Sequence, residues 1–227
     1  MIYDSVRIEE PICQGDIFRN IPRVDLSLSS MSVVESTDDE DFREIAWRDI
    51  VNTSDQPGPV IALLPIKPVM AIVITQNCDA VRGEYLCLCE IGEYLSVTGQ
   101  SQPKDDKSWQ SLIMRLSRSN NRFFYLPEDP ANGLKHRYAA DFRTIIRVRR
   151  IDLERHKDHR IARLNKVGNE HFRETLAHFF RRYAYNEWYP LTPREFESYR
   201  GQIKGEAEKT NITAYDWQNT EPPKPAP

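Results

Sequence analysis

Pro65 and Pro68 interrupt the most apolar run of the chain, Val60 to Asp79, and that interruption constrains the fold more than any other feature. A proline inside a helix removes a hydrogen bond and clashes with the preceding turn, so the run is not one continuous helix. Val69 to Ile74 is rich in β-branched residues and has the length of one strand, which predicts a buried strand after a Pro-pinned bend. The run then stops on Thr75-Gln76-Asn77-Cys78-Asp79. That polar tip lies at a strand's exit, where folds commonly carry functional groups.

The rest of the 227 residues is ordinary for a globular chain, with 40% hydrophobic and 29% charged residues. No apolar stretch reaches the ~18 residues of a membrane-spanning helix, and Met1-Ile2-Tyr3-Asp4 lacks the basic and apolar regions of a secretory signal. A cytoplasmic protein with no membrane partner is expected. Cys13, Cys78, Cys87 and Cys89 are too sparse for a disulfide scaffold and contain no Cys-x-x-Cys pair, so reduced thiols are expected, and no cofactor. The net charge is −3 but unevenly spread. Residues 1–60 hold thirteen Asp/Glu against five Arg, whereas 141–166 hold nine Lys/Arg against four Asp/Glu, which points to an acidic arm and a basic face.

In chain order, Gly15-Asp16 ahead of Ile17-Phe18 reads as a turn launching a first strand within 12–26. The segment 27–59 reads as an insertion, with a helix at about 38–51 from capping patterns ahead of Phe42, Ile45, Ala46 and Ile50. Tyr85 to Ile91 reads as a neighbouring strand, with Cys87 and Cys89 on one face. Trp109, Leu112, Ile113 and Leu116 predict a helix near 106–118 in a second insertion, 93–120. Arg122 to Leu126 and Tyr138 to Ile151 predict two more strands. Phe172, Leu176, Phe179, Phe180 and Tyr183 mark a helix near 169–185, and Thr192-Pro193 with Phe196 and Tyr199 another. One domain, 1–204, followed by a flexible Pro-rich tail, 205–227, is the expected organisation.

The order Gly15-Asp16-Ile17-Phe18, Lys67-Pro68-Val69-Met70-Ala71-Ile72-Val73, Leu86-Cys87-Leu88-Cys89, Asp141-Phe142-Arg143-Thr144-Ile145 and then a C-terminal helix resembles the MazF/PemK toxin family. The resemblance covers about half the chain, and it implies an α+β fold with an SH3-like MazF/PemK-type β-barrel, here enlarged by helical insertions and C-terminal helices. It further implies a toxin-like component of a bacterial stress or phage-defence system. The activity would be metal-independent endoribonuclease cleavage of single-stranded RNA, with an antitoxin or other protein partner and a homodimer. A catalytically inactive barrel acting as a regulatory or protein-binding subunit is the other reading. The family's cleavage uses an Arg before the second strand's Pro and a Thr ending the third. Here Lys67 stands at the first position and Gly92 or Glu93 at the second, and Lys lacks the two-pronged donor set of guanidinium.

Lys67, Asp79 and Glu93 are accordingly the candidate catalytic set, a carboxylate as base and Lys67 as the cation facing phosphate. A solvated lysine and turn carboxylates are the plainer alternative. Cys78 with His136 is a candidate nucleophile pair, and Cys78, Cys87, Cys89 and His136 a candidate zinc set; ordinary turn and core cysteines are the alternative. Arg143, Arg147, Arg149 and Arg150 are the candidate nucleic-acid-binding residues, continued by Arg155, Lys157, Arg160 and Arg163. Tyr138 or Phe142 is a candidate base stacker. A charged strand face in solvent is the alternative there.

Overall fold

The structure, a computed structural model, describes residues 2–34, 42–52, 60–119 and 122–181. The chain divides into two units, Met1–Phe179 and Phe180–Pro227, and of the second unit only Phe180 and Arg181 are described. The expected helix after Thr192-Pro193 and the tail 205–227 lie outside the described residues.

Ten strands are described: β1 (Tyr3–Asp4), β2 (Asp16–Val24), β3 (Met31–Val34), β4 (Phe42–Ile45), β5 (Ala62–Leu63), β6 (Ile66–Val73), β7 (Tyr85–Glu93), β8 (Phe123–Leu126), β9 (Tyr138–Arg149) and β10 (Arg160–Leu164). The helices are α1 (Trp47–Asn52), α2 (Asn77–Arg82), α3 (Tyr94–Thr98), α4 (Asp106–Ser119), α5 (Arg150–Arg155) and α6 (Lys166–Arg181). The fold is α+β. Seven strands form one antiparallel sheet in the order β1-β10-β2-β6-β7-β9-β8, and β4-β3-β5 form a second, smaller sheet.

The large sheet is not closed by a backbone ladder among the described residues, because β1 and β8 are both edges. It curls far enough for those edges to meet through side chains. Tyr3 Oη in β1 donates to the carbonyl of Pro127, just past β8, at 2.8 Å, and Tyr3 and Leu126 share one core cluster. Residue alternation sorts the apolar side chains onto two faces. Ile17, Ile72, Cys89, Ile91, Ala140 and Phe142 pack under Phe172, Leu176 and Phe179 of α6. Phe18, Ile21, Ala71, Val73, Leu86 and Leu88 pack against Ala80 of α2 and Leu153 of α5. A third cluster, Tyr94, Trp109, Leu112 and Ala139, seats α3 and α4 beside β8.

Two irregularities shape the sheet. Pro22 faces Pro68 across the β2–β6 ladder, beyond the last β10 pairing of β2 at Phe18 and outside the β6–β7 ladder, which runs from Met70 to Val73. Both prolines therefore sit in a two-stranded arm whose outer edges need no donors, where proline is tolerated. In β9, Cys89 pairs with Ile145 but Glu90 pairs with Asp141, so Phe142 to Thr144 form a bulge that bends the strand.

The expected helix at about 38–51 is corrected. Residues 38–41 lie outside the described residues, Phe42–Ile45 is strand β4, and only Trp47–Asn52 is helical. Met31–Val34 supplies a ladder partner, and that pairing outweighs the helical spacing read from the sequence. The organising strand starts earlier than expected, at Ile66, and its polar tip becomes the start of α2. β1 and β10 were not expected at all.

Candidate nucleic-acid interface

The β9 bulge and the β2–β6 arm enclose a groove of about 490 Å³, walled by Pro22 to Asp25 on one side and Arg143 to Arg147 on the other. Alternation along β2, β6 and β7 puts Arg23, Lys67 and Glu90 on the face that carries Ile21, Val69 and Leu88. Arg23 forks between Asp25 and Glu90, with Nε 2.9 Å from Asp25 Oδ1 and Nη1 bonded to Glu90 Oε2. Lys67 Nζ lies 3.6 Å from Asp25 Oδ2. Hydrogen bonds from Arg23 are the largest influence holding the Asp25 carboxyl below its ordinary value, and the charges of Arg23 and Lys67 act in the same direction.

On the opposite wall, Asp141 grips Arg143 at 2.9 and 2.7 Å, and the Arg143 guanidinium lies over the Phe123 ring at 5.0 Å. The Arg147 guanidinium lies 3.9 Å from the centroid of Tyr85, a ring 38% exposed. Among the described residues Arg147 makes no ion pair. The groove walls thus carry Arg23, Arg143 and Arg147, with Lys67 beside Asp25, against three carboxylates that hold two of the arginines in place. Such a wall offers phosphate oxygens directional donors and offers a base one cation-backed ring, Phe123, which the register places on the face of Asp141 and Glu90; Tyr85 stands on the opposite face with Cys87 and Cys89.

The predicted catalytic set is not brought together. Lys67 stands near the start of β6, whereas Asp79 follows its end on α2, and six strand residues span roughly 20 Å. Glu93 ends β7 on the face of Cys89 and Ile91, opposite to that of Lys67, beside Glu128 and His136 in a separate pocket of about 230 Å³. Cys78 is exposed on α2 near the Leu88 end of β7, while His136 precedes Tyr138, which pairs with Glu93 at the other end. The nucleophile pair is therefore not assembled. Cys78, Cys87, Cys89 and His136 do not gather as a zinc set either. Burial pushes the Cys89 thiol well above its ordinary value, which makes it inert.

Of the predicted nucleic-acid contacts, Arg143 and Arg147 line the groove. Arg149 pairs with Asp152 at 3.4 Å, and Arg150 donates to the Gly83 carbonyl at 3.1 Å. Lys157 pairs with Glu154. Arg160 and Arg163 clamp the buried carboxylate of Asp16 at 3.0 and 2.5 Å, and Arg160 also ties down the carbonyls of Arg7, Glu10 and Pro11. Those two arginines are structural. Tyr138 and Phe142 are buried in the core, 9% and 1% exposed, and give a base no ring face. Phe123 and Arg23 take those places, and no sequence reading singled them out. The signal for Phe123 was a pair of adjacent aromatic rings at the start of a strand, of which only one, Phe124, can turn to the core.

Among the described residues the donor atoms of His156, Asp158 and His159 lie within 4.8 Å of one another, the one arrangement suited to a metal ion. No protein-family model, curated protein or solved structure matches the chain.

Proposed function

We propose that the protein binds single-stranded RNA in the groove between the β2–β6 arm and the β9 bulge, gripping the strand without cutting it. The observation that carries this reading is Arg143, a groove arginine held over the Phe123 ring on the sheet face that also carries Arg23 and Lys67. The Arg143 guanidinium and the half-buried Phe123 ring stack on unpaired bases of any sequence, while Arg23 and Lys67 answer the phosphates. The wide separation of Lys67, Asp79 and Glu93 speaks for gripping over cleavage. The curled antiparallel sheet, its edges joined by the Tyr3–Pro127 bond, supports kinship with the SH3-like toxin barrels, and hence a cytoplasmic, toxin-like role in bacterial stress or phage defence.

The test is a fluorescence-anisotropy titration of labelled mixed-sequence single-stranded RNA, followed by a gel of the same RNA. Phe123→Ala is expected to weaken binding roughly 5- to 150-fold, the ~1–3 kcal/mol of one lost stacking contact. Arg23→Ala and Lys67→Ala are each expected to lower the slope of log affinity against log salt by about 0.7. Wild-type affinity in all three variants overturns the reading. Metal-independent cutting that disappears in Lys67→Ala returns the protein to the endoribonucleases.

A second reading, a regulatory or protein-binding subunit, is favoured by the arm and its insertion. Leu26, Leu28, Ile61, Leu63 and Ile66 each stand more than half exposed there. Apolar exposure concentrated on one protruding element is what a partner or a second copy of the chain would cover. Light scattering at increasing concentration checks this: a dimer dispersed by Leu28→Ser with Leu63→Ser supports self-association, and a strict monomer leaves the arm to a different protein.

A further inference from the structure

We infer that His156, Asp158 and His159 form a binding site for a divalent transition-metal ion of the zinc type. This inference is independent of the RNA groove.

The three residues occupy a single tight turn. His156 caps the C-terminus of α5, Lys157–His159 form a 3-10 turn, and β10 begins at Arg160. Both ends of the turn are anchored. On the entry side the His156 N–H is bonded to the Leu153 carbonyl at 3.0 Å, and the Leu153 side chain is 1% exposed. On the exit side Arg160 is clamped by Asp16 and by the 7–11 loop carbonyls. A turn held in this way presents its side chains with little freedom to lose on binding. Lys157, between the ligands, directs its ammonium away to Glu154 at 2.5 Å.

Two observations point to a bound cation, beside an imidazole stack that brings His156 and His159 together with centroids 4.0 Å apart and planes 4° from each other. His156 Nε2 is buried and has no hydrogen-bond partner, and a buried nitrogen without a partner is costly unless something fills its lone pair. Asp158 Oδ2 stands 3.4 Å from His159 Nε2 and brings the negative charge that a dication requires. The donor atoms all fall within 4.8 Å. Bonds of about 2.0–2.1 Å put two ligands of one zinc ion roughly 3.4 Å apart, so binding turns the stacked imidazoles until their in-plane lone pairs converge.

The surroundings supply the support such ligands need. The Asn20 side-chain amide lies 3.1 Å from His159 Nδ1, and a half turn of an amide exchanges its nitrogen for its oxygen. With the oxygen toward Nδ1–H, the Nε2 lone pair of His159 is directed to the metal, the usual outer-shell arrangement for a metal-binding histidine. Asn20 holds that place from the β2 bulge at φ +58°, a conformation that asparagine tolerates better than most residues. Two imidazoles and one carboxylate suit zinc, nickel or cobalt and not the oxygen-seeking magnesium or calcium. Asp158 is 63% exposed, so a fourth position remains open to water.

The experiment titrates the full-length, EDTA-treated and dialysed protein with zinc chloride by calorimetry and with cobalt chloride by visible absorption. One ion per chain is expected. Asn20→Gly, which keeps the backbone conformation, is expected to weaken binding about 10- to 100-fold. The His156→Ala, His159→Ala double variant should abolish binding with an unchanged circular-dichroism spectrum, whereas His136→Ala should bind as the wild type does. Stoichiometric binding retained by the folded double variant, or no saturable binding to the wild type, overturns the site. Should the double variant not fold, X-ray absorption of the cobalt-loaded wild type decides. A shell of nitrogen and oxygen supports the site, and sulfur in that shell assigns the metal to the cysteines and refutes it.

Discussion

Asp16 shows how much a single buried charge organises. Its carboxylate is fully buried, yet it accepts bonds from Arg160, Arg163 and the Cys13 N–H, and it ties β10 to β2 and the 7–16 loop. Gly15 makes the turn possible, since its φ of +90° and a Cβ contact of 3.0 Å with Asn169 exclude a side chain. Removing one partner of a buried pair strands the others, so Asp16→Ala should lower stability by about 3–5 kcal/mol in urea denaturation. Lys67→Ala should leave stability nearly unchanged, because Lys67 and Asp25 meet in solvent. Equal losses in the two variants would contradict this ranking. The turn at Gly15-Asp16 was legible in the sequence, but the ion cluster was not, because its partners lie 144 and 147 residues away. The cysteines make a second case. Cys78 is exposed, whereas burial raises the thiols of Cys13 and Cys89. A thiol reagent near neutral pH should show a fast phase that Cys78→Ser removes, and a fast phase surviving in that variant would contradict the placement of α2.

At the scale of elements, what was legible is what repeats locally. β9, α4 and α6 follow periods of 2 or 3.6 residues over enough length to be read, β7 and β8 are compact apolar runs, and all five lie where the patterns place them. β4 was misread because Phe42, Ile45, Ala46 and Ile50 fit a helical spacing, while the strand partner that settles the matter, β3, sits in a polar stretch without a pattern of its own. β1 has only two residues, and in β10 Arg160 and Arg163 mask the apolar side chains between and beside them. The groove depends on the β9 bulge, a register shift between two strands, which no local pattern encodes. The α6 contact is where packing energy concentrates: Phe172 is fully buried against Phe124 and Phe142. Phe172→Ala should cost about 3–5 kcal/mol, read from the denaturation midpoint, and a cost below about 1 kcal/mol would mean that α6 does not cover this face.

For the whole molecule, four tyrosines link stability to alkaline pH. Burial raises the phenols of Tyr3, Tyr94, Tyr125 and Tyr138, with Tyr94 pushed up to about 12. Below about pH 10 these phenols are protonated in folded and unfolded chains alike, and their contribution to stability is whole. Above it the unfolded chain releases the protons first, so stability falls as pH rises toward about 12. Melting temperatures measured from about pH 9 upward should decline along that window, and a flat profile would contradict the burial of these rings. Among the described residues no helix is long and apolar enough to cross a membrane. Photocrosslinking reads whether RNA occupies the groove. Single-stranded RNA carrying 4-thiouridine is irradiated with the protein, and the crosslinked peptides are identified by mass spectrometry. Crosslinks at Phe123 and within 143–147, lost in Arg143→Ala, are the predicted result; crosslinks confined to other surfaces, or none at saturating RNA, would contradict it.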